Sequence, residues 1–577
     1  MTEYVGPLDT SAIEGIVWMI LTRVPAQACD SLKASALRSK DDSLARRRHR
    51  THMENRAASS PNALYGQSAI SSSIWMLGLM AVAKLMALAS SLLLGIYLTP
   101  EEFGLAGFAI SASMYVMVFN IWCFADVLCA APRRFSSLGG QVQTLAIWTS
   151  LLQALLIVAL GALLSLLYPN RSGLFAMLLM VALRPVGDAL CAVPMYRLRV
   201  EFRYRANTGI ELVSALFGSG LSVAMGRAGA GASALVLPSI ASLFLRAALV
   251  WHDTVSMLRQ RRRVRSWRPI MRAFMVLSIG SYVSGILTFV ETSILGIVAP
   301  DRSVGLFVFA FGLAVQLNGI IGLQLAAIIQ PIMGYIRGDP ARQSAGLVRA
   351  NRLLAAMLVP ALLIQAASTS FLFEIAWPGK WGDAALIHQV LSIGQVFAIF
   401  AGSSQFMLKG QGRYRTFTIL NLANLMTLLA VLPLAALFGA APAGALVGVL
   451  GLHCPGPAEA AVAVAVVGGL VRLAFGLVSV RVAAGHAHVG WGQVIGLYGL
   501  PLAVATPVAV GTWWIMSVAI PACPGRLAQA AVLVVACTAA WVVGAGLCLL
   551  PHPSSRRDGA EIAQQLMRKL RLAPAAS

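Results

Sequence analysis

Residues 143–168 read QTLAIWTSLLQALLIVALGALLSLLY, without one charged side chain. A helix of about 20 apolar residues crosses a hydrocarbon core roughly 30 Å thick. Lipid offers backbone groups no hydrogen-bond partner, so a stretch like this can only cross as a helix. Thirteen further apolar stretches flank it, at 72–98, 103–125, 173–194, 207–226, 230–252, 273–298, 304–330, 352–376, 385–408, 414–438, 462–483, 493–517 and 527–550. The sequence therefore predicts an all-α polytopic membrane protein with about 14 transmembrane helices.

The basic residues set its orientation. Of the 44 Lys and Arg residues, 35 fall before the first span, in or within three residues of every second gap, or after the last span. The intervening gaps hold only Arg171, Arg227, Arg302, Lys380 and Arg526, and Lys84, Arg184, Arg246 and Arg472 lie within spans. By the positive-inside rule the basic gaps are cytoplasmic, which predicts an inner-membrane protein with both termini in the cytoplasm. The net charge of +22 is thus a property of membrane-flanking loops that meet anionic lipid headgroups, not of a nucleic-acid surface. The densest cluster, Arg259, Arg261, Arg262, Arg263 and Arg265, fits that topological role. The eight cysteines are scattered without a C-x-x-C pair and read as small apolar packing residues. His486 and His488 have no neighbouring ligand cluster, so neither a metal nor another cofactor is expected.

Residues 1–71 are polar and basic, with Arg46, Arg47, Arg48, His49 and Arg50 in one run. Composition of this kind predicts a disordered cytoplasmic tail. The apolar piece from Ile13 to Leu21 is too short to span and has no small-residue cleavage pattern after it. Translation from Met53 would leave a shorter tail. The tail at 551–577 is also basic, with a short amphipathic stretch from Ile562 to Leu572 suited to a membrane surface.

An internal repeat has an offset of 201 residues. Leu94, Gly95 and Ile96 recur as Leu295, Gly296 and Ile297; Gly104 and Leu105 as Gly305 and Leu306; Phe108 and Ala109 as Phe309 and Ala310. The first hairpin of spans thus matches the seventh and eighth, in the same orientation. That predicts two pseudo-symmetric six-helix lobes related by an axis along the membrane normal, 72–252 and 273–483. They are joined by the basic linker 253–272, with an appended helix pair in 484–550.

Two such lobes describe a transporter that rocks about a site near the bilayer midplane. The intervening, outside gaps are short; the largest, 439–461, has Glu459 as its only charge. A paired carboxylate for acid–base chemistry is absent there, and no Walker sequence occurs anywhere. An enzyme is therefore not expected.

Several stretches carry a family resemblance. They are Leu94-Gly-Ile-Tyr-Leu-Thr-Pro-Glu-Glu-Phe-Gly-Leu105, Pro194-Met-Tyr-Arg-Leu-Arg-Val-Glu-Phe202 and Gly229-Ala-Gly-Ala-Ser-Ala-Leu-Val236, followed by Gln330-Pro-Ile-Met, Asp339-Pro340 and Pro378-Gly-Lys-Trp-Gly-Asp383. In order and rough spacing they resemble Wzx-type polysaccharide flippases, the polysaccharide transporters of the multidrug/oligosaccharidyl-lipid/polysaccharide superfamily. The resemblance covers about residues 68–420; the 439–461 region and the N-terminal tail depart from it. It implies translocation of undecaprenyl-diphosphate-linked oligosaccharide across the inner membrane for exopolysaccharide, capsule or O-antigen synthesis. It further implies membrane lipids, a polysaccharide polymerase and a chain-length regulator as partners. The alternatives are a small-molecule or multidrug antiporter of the same superfamily and, from another class, a glycan polymerase or ligase.

An ionisable group within a span is costly, and so is a functional candidate by default. Lys84, Arg184 and Arg472 are candidate contacts for a diphosphate or a sugar acid. Glu291 and Asp188 are candidate carboxylates for a coupling ion, the drive being a proton or sodium gradient or the membrane potential. Each has a structural alternative: Lys84 can snorkel, Arg184 and Asp188 can neutralise each other four residues apart on one helix face beside Pro185, and Glu291 can be a packing partner. Arg246, Glu211, Asp126 and Glu374 lie near span ends, where snorkelling and capping explain them.

Overall fold

The computed structural model describes residues 79, 82–117, 121, 123–124, 135–200, 203–251, 267–322, 340–410, 413–437, 458–486 and 491–549. The expected tails, most of the 253–272 linker and most of 439–461 lie outside them.

In chain order the helices are α1 (Val82–Tyr97), α2 (Pro100–Val116), α3 (Phe135–Leu167), α4 (Leu174–Val181), α5 (Arg184–Val200), α6 (Tyr204–Arg227), α7 (Ser233–Trp251), α8 (Trp267–Val298), α9 (Asp301–Ala314), α10 (Pro340–Ala376), α11 (Gly382–Gly410), α12 (Tyr414–Leu437), α13 (Glu459–His486), α14 (Trp491–Ala519) and α15 (Arg526–Leu549). A π-helical turn, Asn318–Gly322, follows α9. Each of the 14 expected spans coincides with one helix, except that α4 and α5 share the fourth. Pro185 accounts for that break: it supplies no N–H and disfavours helical geometry at the residue before it.

Eleven of these crossings are long and apolar enough to span a membrane among the described residues. The described parts of α1, α2 and α9 are shorter. Outward faces carry bare apolar side chains, such as Leu166, 80% exposed, and Leu527, 89% exposed. In lipid that exposure costs nothing, and helix association relies on close packing through small residues instead.

Packing gathers the described helices into two groups. Helices α2 to α7 contact one another as one lobe, joined by α1 through the Ser90 hydroxyl bond to the carbonyl of Ser219 on α6, 3.2 Å. Helices α8 to α13 form the second, and α14 and α15 pack on α10. The lobes meet chiefly where α2 packs on α9 and α8.

The start of α2 shows why its hairpin is sharp. Thr99 accepts from the Glu102 amide while its own amide donates to Glu102 Oε2 at 2.8 Å, a capping box with Pro100 at the first helical position. Both groups would otherwise be orphaned at a helix N-terminus.

The repeat is also visible as paired contacts. Gly95 lies against the Phe309 ring, and Gly296 against the Phe108 ring; an added Cβ would come within 2.8 Å and 2.0 Å of those rings. Phe103 and Phe309 stand edge to face at 5.2 Å, and Trp381 stacks on Phe309 at 4.0 Å. These side chains belong to one continuous buried core that joins the lobes at the Pro100/Pro300 end.

Candidate functional site

Two cationic loops fasten that end. Arg171, between α3 and α4, donates to the carbonyls of Gly296 at 2.6 Å and Ala299 at 2.9 Å. It also pairs with Asp301 at 3.0 Å and lies over the Phe108 ring at 4.7 Å. In the second lobe the loop between α10 and α11 does the same in reverse. Lys380 donates to the Ile96 carbonyl at 2.8 Å, and the indoles of Trp381 and Trp377 donate to Gly95 and Leu92 at 2.8 and 3.1 Å. Each lobe thus caps the last carbonyls of the other lobe's first helix, groups that a helix end leaves without partners. Both loops turn on a glycine with positive φ, Gly173 at 93° and Gly379 at 74°, a conformation that other residues resist.

Burial pushes the Asp301 carboxyl above its ordinary value, more than the nearby Arg171 lowers it, and Glu101 adds in the raising direction. Burial likewise lowers Lys380, against an opposing pull from Glu102.

Further along α8 and α9, away from this fastening, lies a half-open cavity of about 610 Å³, lined almost wholly by the second lobe. Lys84 of α1 borders it from the first lobe. From the second come Ser284 and Thr288 of α8, Gln395 and Gln405 of α11, Asn421 and Asn424 of α12, and Arg472 of α13. The amides form a network: Gln405 donates to Asn421 at 3.1 Å, and Asn421 to Ser284 at 3.4 Å. Lys84 has no ion-pair partner among the described residues.

Glu291 stands behind this wall, one helical face with Ser284 and Thr288. Arg472 Nη2 donates to its Oε2, and the Glu291 side chain is 3% exposed against 16% for Arg472. Glycines make room for the pair. A Cβ at Gly468 would lie 2.1 Å from Glu291 Oε1, and one at Gly394 would meet the α13 backbone at Gly469, 3.3 Å away.

Lys84, Arg472 and Glu291 are therefore brought together. Arg184 and Asp188 are not: both are half-buried on α5, outside the cavity lining, and Asp188 lies with Arg246 of α7 within electrostatic range of Cys191. Among the described residues no cluster of three His, Cys, Asp or Glu could hold a metal, and the described cysteines form no disulfide with one another. The amide wall was missed from sequence. Its signal is polar residues recurring in apolar spans: Ser284, Thr288 and Glu291; Asn421 and Asn424; Gln395 and Gln405.

Comparison with known proteins follows the same lines. No curated protein matches the chain significantly. Among solved structures, the lipid II flippase MurJ in an inward closed conformation is 12% identical, with 82% of this chain and 98% of that one covered and a TM-score of 0.57. An inward-facing multidrug resistance MATE family transporter of the MOP superfamily is 15% identical, with 70% and 94% covered and a TM-score of 0.52. At such identities the likeness is one of fold. The family described as "Polysaccharide biosynthesis protein" matches residues 93–386. That match takes in the fastening loops, the paired glycines and Glu291, and the chain belongs to this family.

Proposed function

We propose that the protein is a flippase that carries undecaprenyl-diphosphate-linked oligosaccharide from the inner to the outer leaflet of the bacterial inner membrane. The observation that carries this reading is the cavity lined by Lys84 of the first lobe and by Arg472, amides and hydroxyls of the second. A lipid-linked glycan presents an anionic diphosphate, many hydroxyls and an apolar tail. Cations suit the diphosphate, and side-chain amides, each both donor and acceptor, suit sugar hydroxyls. The tail stays in lipid.

The Arg171 and Lys380 loops close the face we assign to the periplasm, which supports reading this arrangement as the one that accepts substrate from the cytoplasmic side. Rocking the lobes apart there exposes the cavity to the other side, driven by a proton or sodium gradient or by the membrane potential. Both termini face the cytoplasm. The product feeds exopolysaccharide, capsule or O-antigen assembly beside a polymerase and a chain-length regulator, and the chain itself performs no covalent chemistry.

The test is the leaflet distribution of lipid-linked oligosaccharide in cells with and without the protein, read in spheroplasts with a glycan-modifying probe confined to the outer face. Deletion is expected to leave the glycan inside and abolish secreted polymer. Repeat units that reach the outer face but stay unpolymerised would favour a polymerase. Unchanged glycan would point to small-molecule antiport.

A further inference from the structure

The Glu291–Arg472 pair is oriented so that only its cation faces the cavity. Arg472 is among the lining residues, and Glu291, 3% exposed, sits behind it. The pairing is also incomplete. It uses Arg472 Nη2 and Glu291 Oε2, while Nη1 and Oε1, both buried, have no hydrogen-bond partner among the described residues. Guanidinium and carboxylate or phosphate commonly meet through two parallel bonds. Here Glu291 Oε1 is pressed against the α13 backbone at Gly468, so the carboxylate holds its partner through one oxygen.

We propose that Glu291 is an internal counter-anion, displaced from Arg472 by an entering diphosphate and restored to it when the headgroup leaves. This rests on the flippase reading above and adds a specific task for one residue. A bare guanidinium in a site of low dielectric binds a polyanion strongly. A carrier needs an affinity high enough to load and low enough to discharge. With Glu291 in place, loading exchanges one anionic partner of Arg472 for another. Discharge then never leaves an unpaired buried cation, which would be costly. Glu291 is thus a positioning residue that sets release and does not itself touch the substrate.

The experiment measures binding of inorganic pyrophosphate to the full chain in lipid nanodiscs, together with flipping rate in liposomes. Arg472→Ala should weaken binding about tenfold or more, the scale expected for loss of a charged hydrogen-bond donor. Glu291→Gln should do the opposite, tightening pyrophosphate binding severalfold while slowing turnover. The double variant should match Arg472→Ala, because the counter-anion acts only through the arginine. Glu291→Asp, which keeps the charge but withdraws it by one methylene, should also tighten binding, by less; it carries the test if Glu291→Gln fails to fold. Binding by Glu291→Gln, or failing that Glu291→Asp, equal to or weaker than wild type would overturn the counter-anion role and leave the anion site standing. Pyrophosphate binding that is absent, or indifferent to both Lys84→Ala and Arg472→Ala, would instead overturn the flippase reading of the cavity.

Discussion

Gly104 faces the backbone carbonyl of Asp301 across the lobe interface so closely that a Cβ would come within 1.9 Å of the oxygen. Gly305, its counterpart 201 residues on, stands in the same way against the carbonyl of Pro100, at 1.6 Å. The two contacts exchange under the pseudo-two-fold axis, which must therefore pass between α2 and α9. The opposing atoms are backbone and cannot swing aside. Gly104→Ala or Gly305→Ala should lower stability by about 1–3 kcal/mol or more, the usual cost of overpacking. Thermal unfolding in detergent reads this, and Gly402→Ala, where a Cβ meets nothing within 4 Å, is the control. A wild-type melting temperature in either interface variant would contradict the contact.

Arg171 holds two carbonyls of the opposite lobe and a carboxylate as well. Arg171→Ala leaves both carbonyls without their donor and Asp301 without its ion-pair partner, and bonds to a charged donor are each worth about 1.5–3 kcal/mol. Its effect should be local first: amides in 92–108 and 296–309 should exchange with deuterium faster while α14 and α15 stay protected. Uniform acceleration along the chain would mean that the loop supports the whole fold and not one face.

Asp301 gives the same face a pH dependence whose sign follows from its raised carboxyl. A native state with a raised pKa binds more protons than the unfolded chain, so stability falls as pH rises through that range. The contribution is fully present below the unfolded value, about 3.9, and is lost as pH passes the raised folded value. Asp301→Asn removes this term. The melting temperature of wild type minus that of Asp301→Asn should therefore increase as pH falls through the range. A difference that is flat, or that shrinks on acidification, would show that pairing with Arg171 outweighs burial after all.

The limits of sequence reading have a common physical origin here. Spans were legible because every lipid-facing position must be apolar, and the repeat because packing of Gly95 on Phe309 and Gly296 on Phe108 fixes residue type at both ends. Arg171 and Lys380 were visible only as stray charges on the wrong side of a topology rule. Their partners are carbonyls, which any residue supplies, so no pattern marks them. Glu291 and Arg472 were each singled out, but they are separated by 181 positions and nothing in either helix announces the other. Arg184 and Asp188 show the converse: charge within a span flagged them equally, yet no residue of α5 is in the cavity lining.

Lys84 is the one described lining residue of the cavity that the first lobe supplies, Arg472 comes from the second, and the two lobes move relative to each other in any rocking cycle. An anion that touches both residues ties the lobes together, and losing either residue should sever the same tie. Lys84→Ala is then expected to reduce flipping at matched membrane abundance by about ten- to a hundredfold, from the 1.5–3 kcal/mol of a charged hydrogen bond. Lys84→Arg, which keeps the charge and reach, should retain much of the activity. Combining Lys84→Ala with Arg472→Ala should cost less than the sum of the two in free energy, since residues sharing one partner are not additive. Strict additivity in that double-mutant cycle would mean that the cations serve separate steps. Full activity of Lys84→Ala alone would leave the lysine as a side chain that snorkels to the interface, with no part in transport.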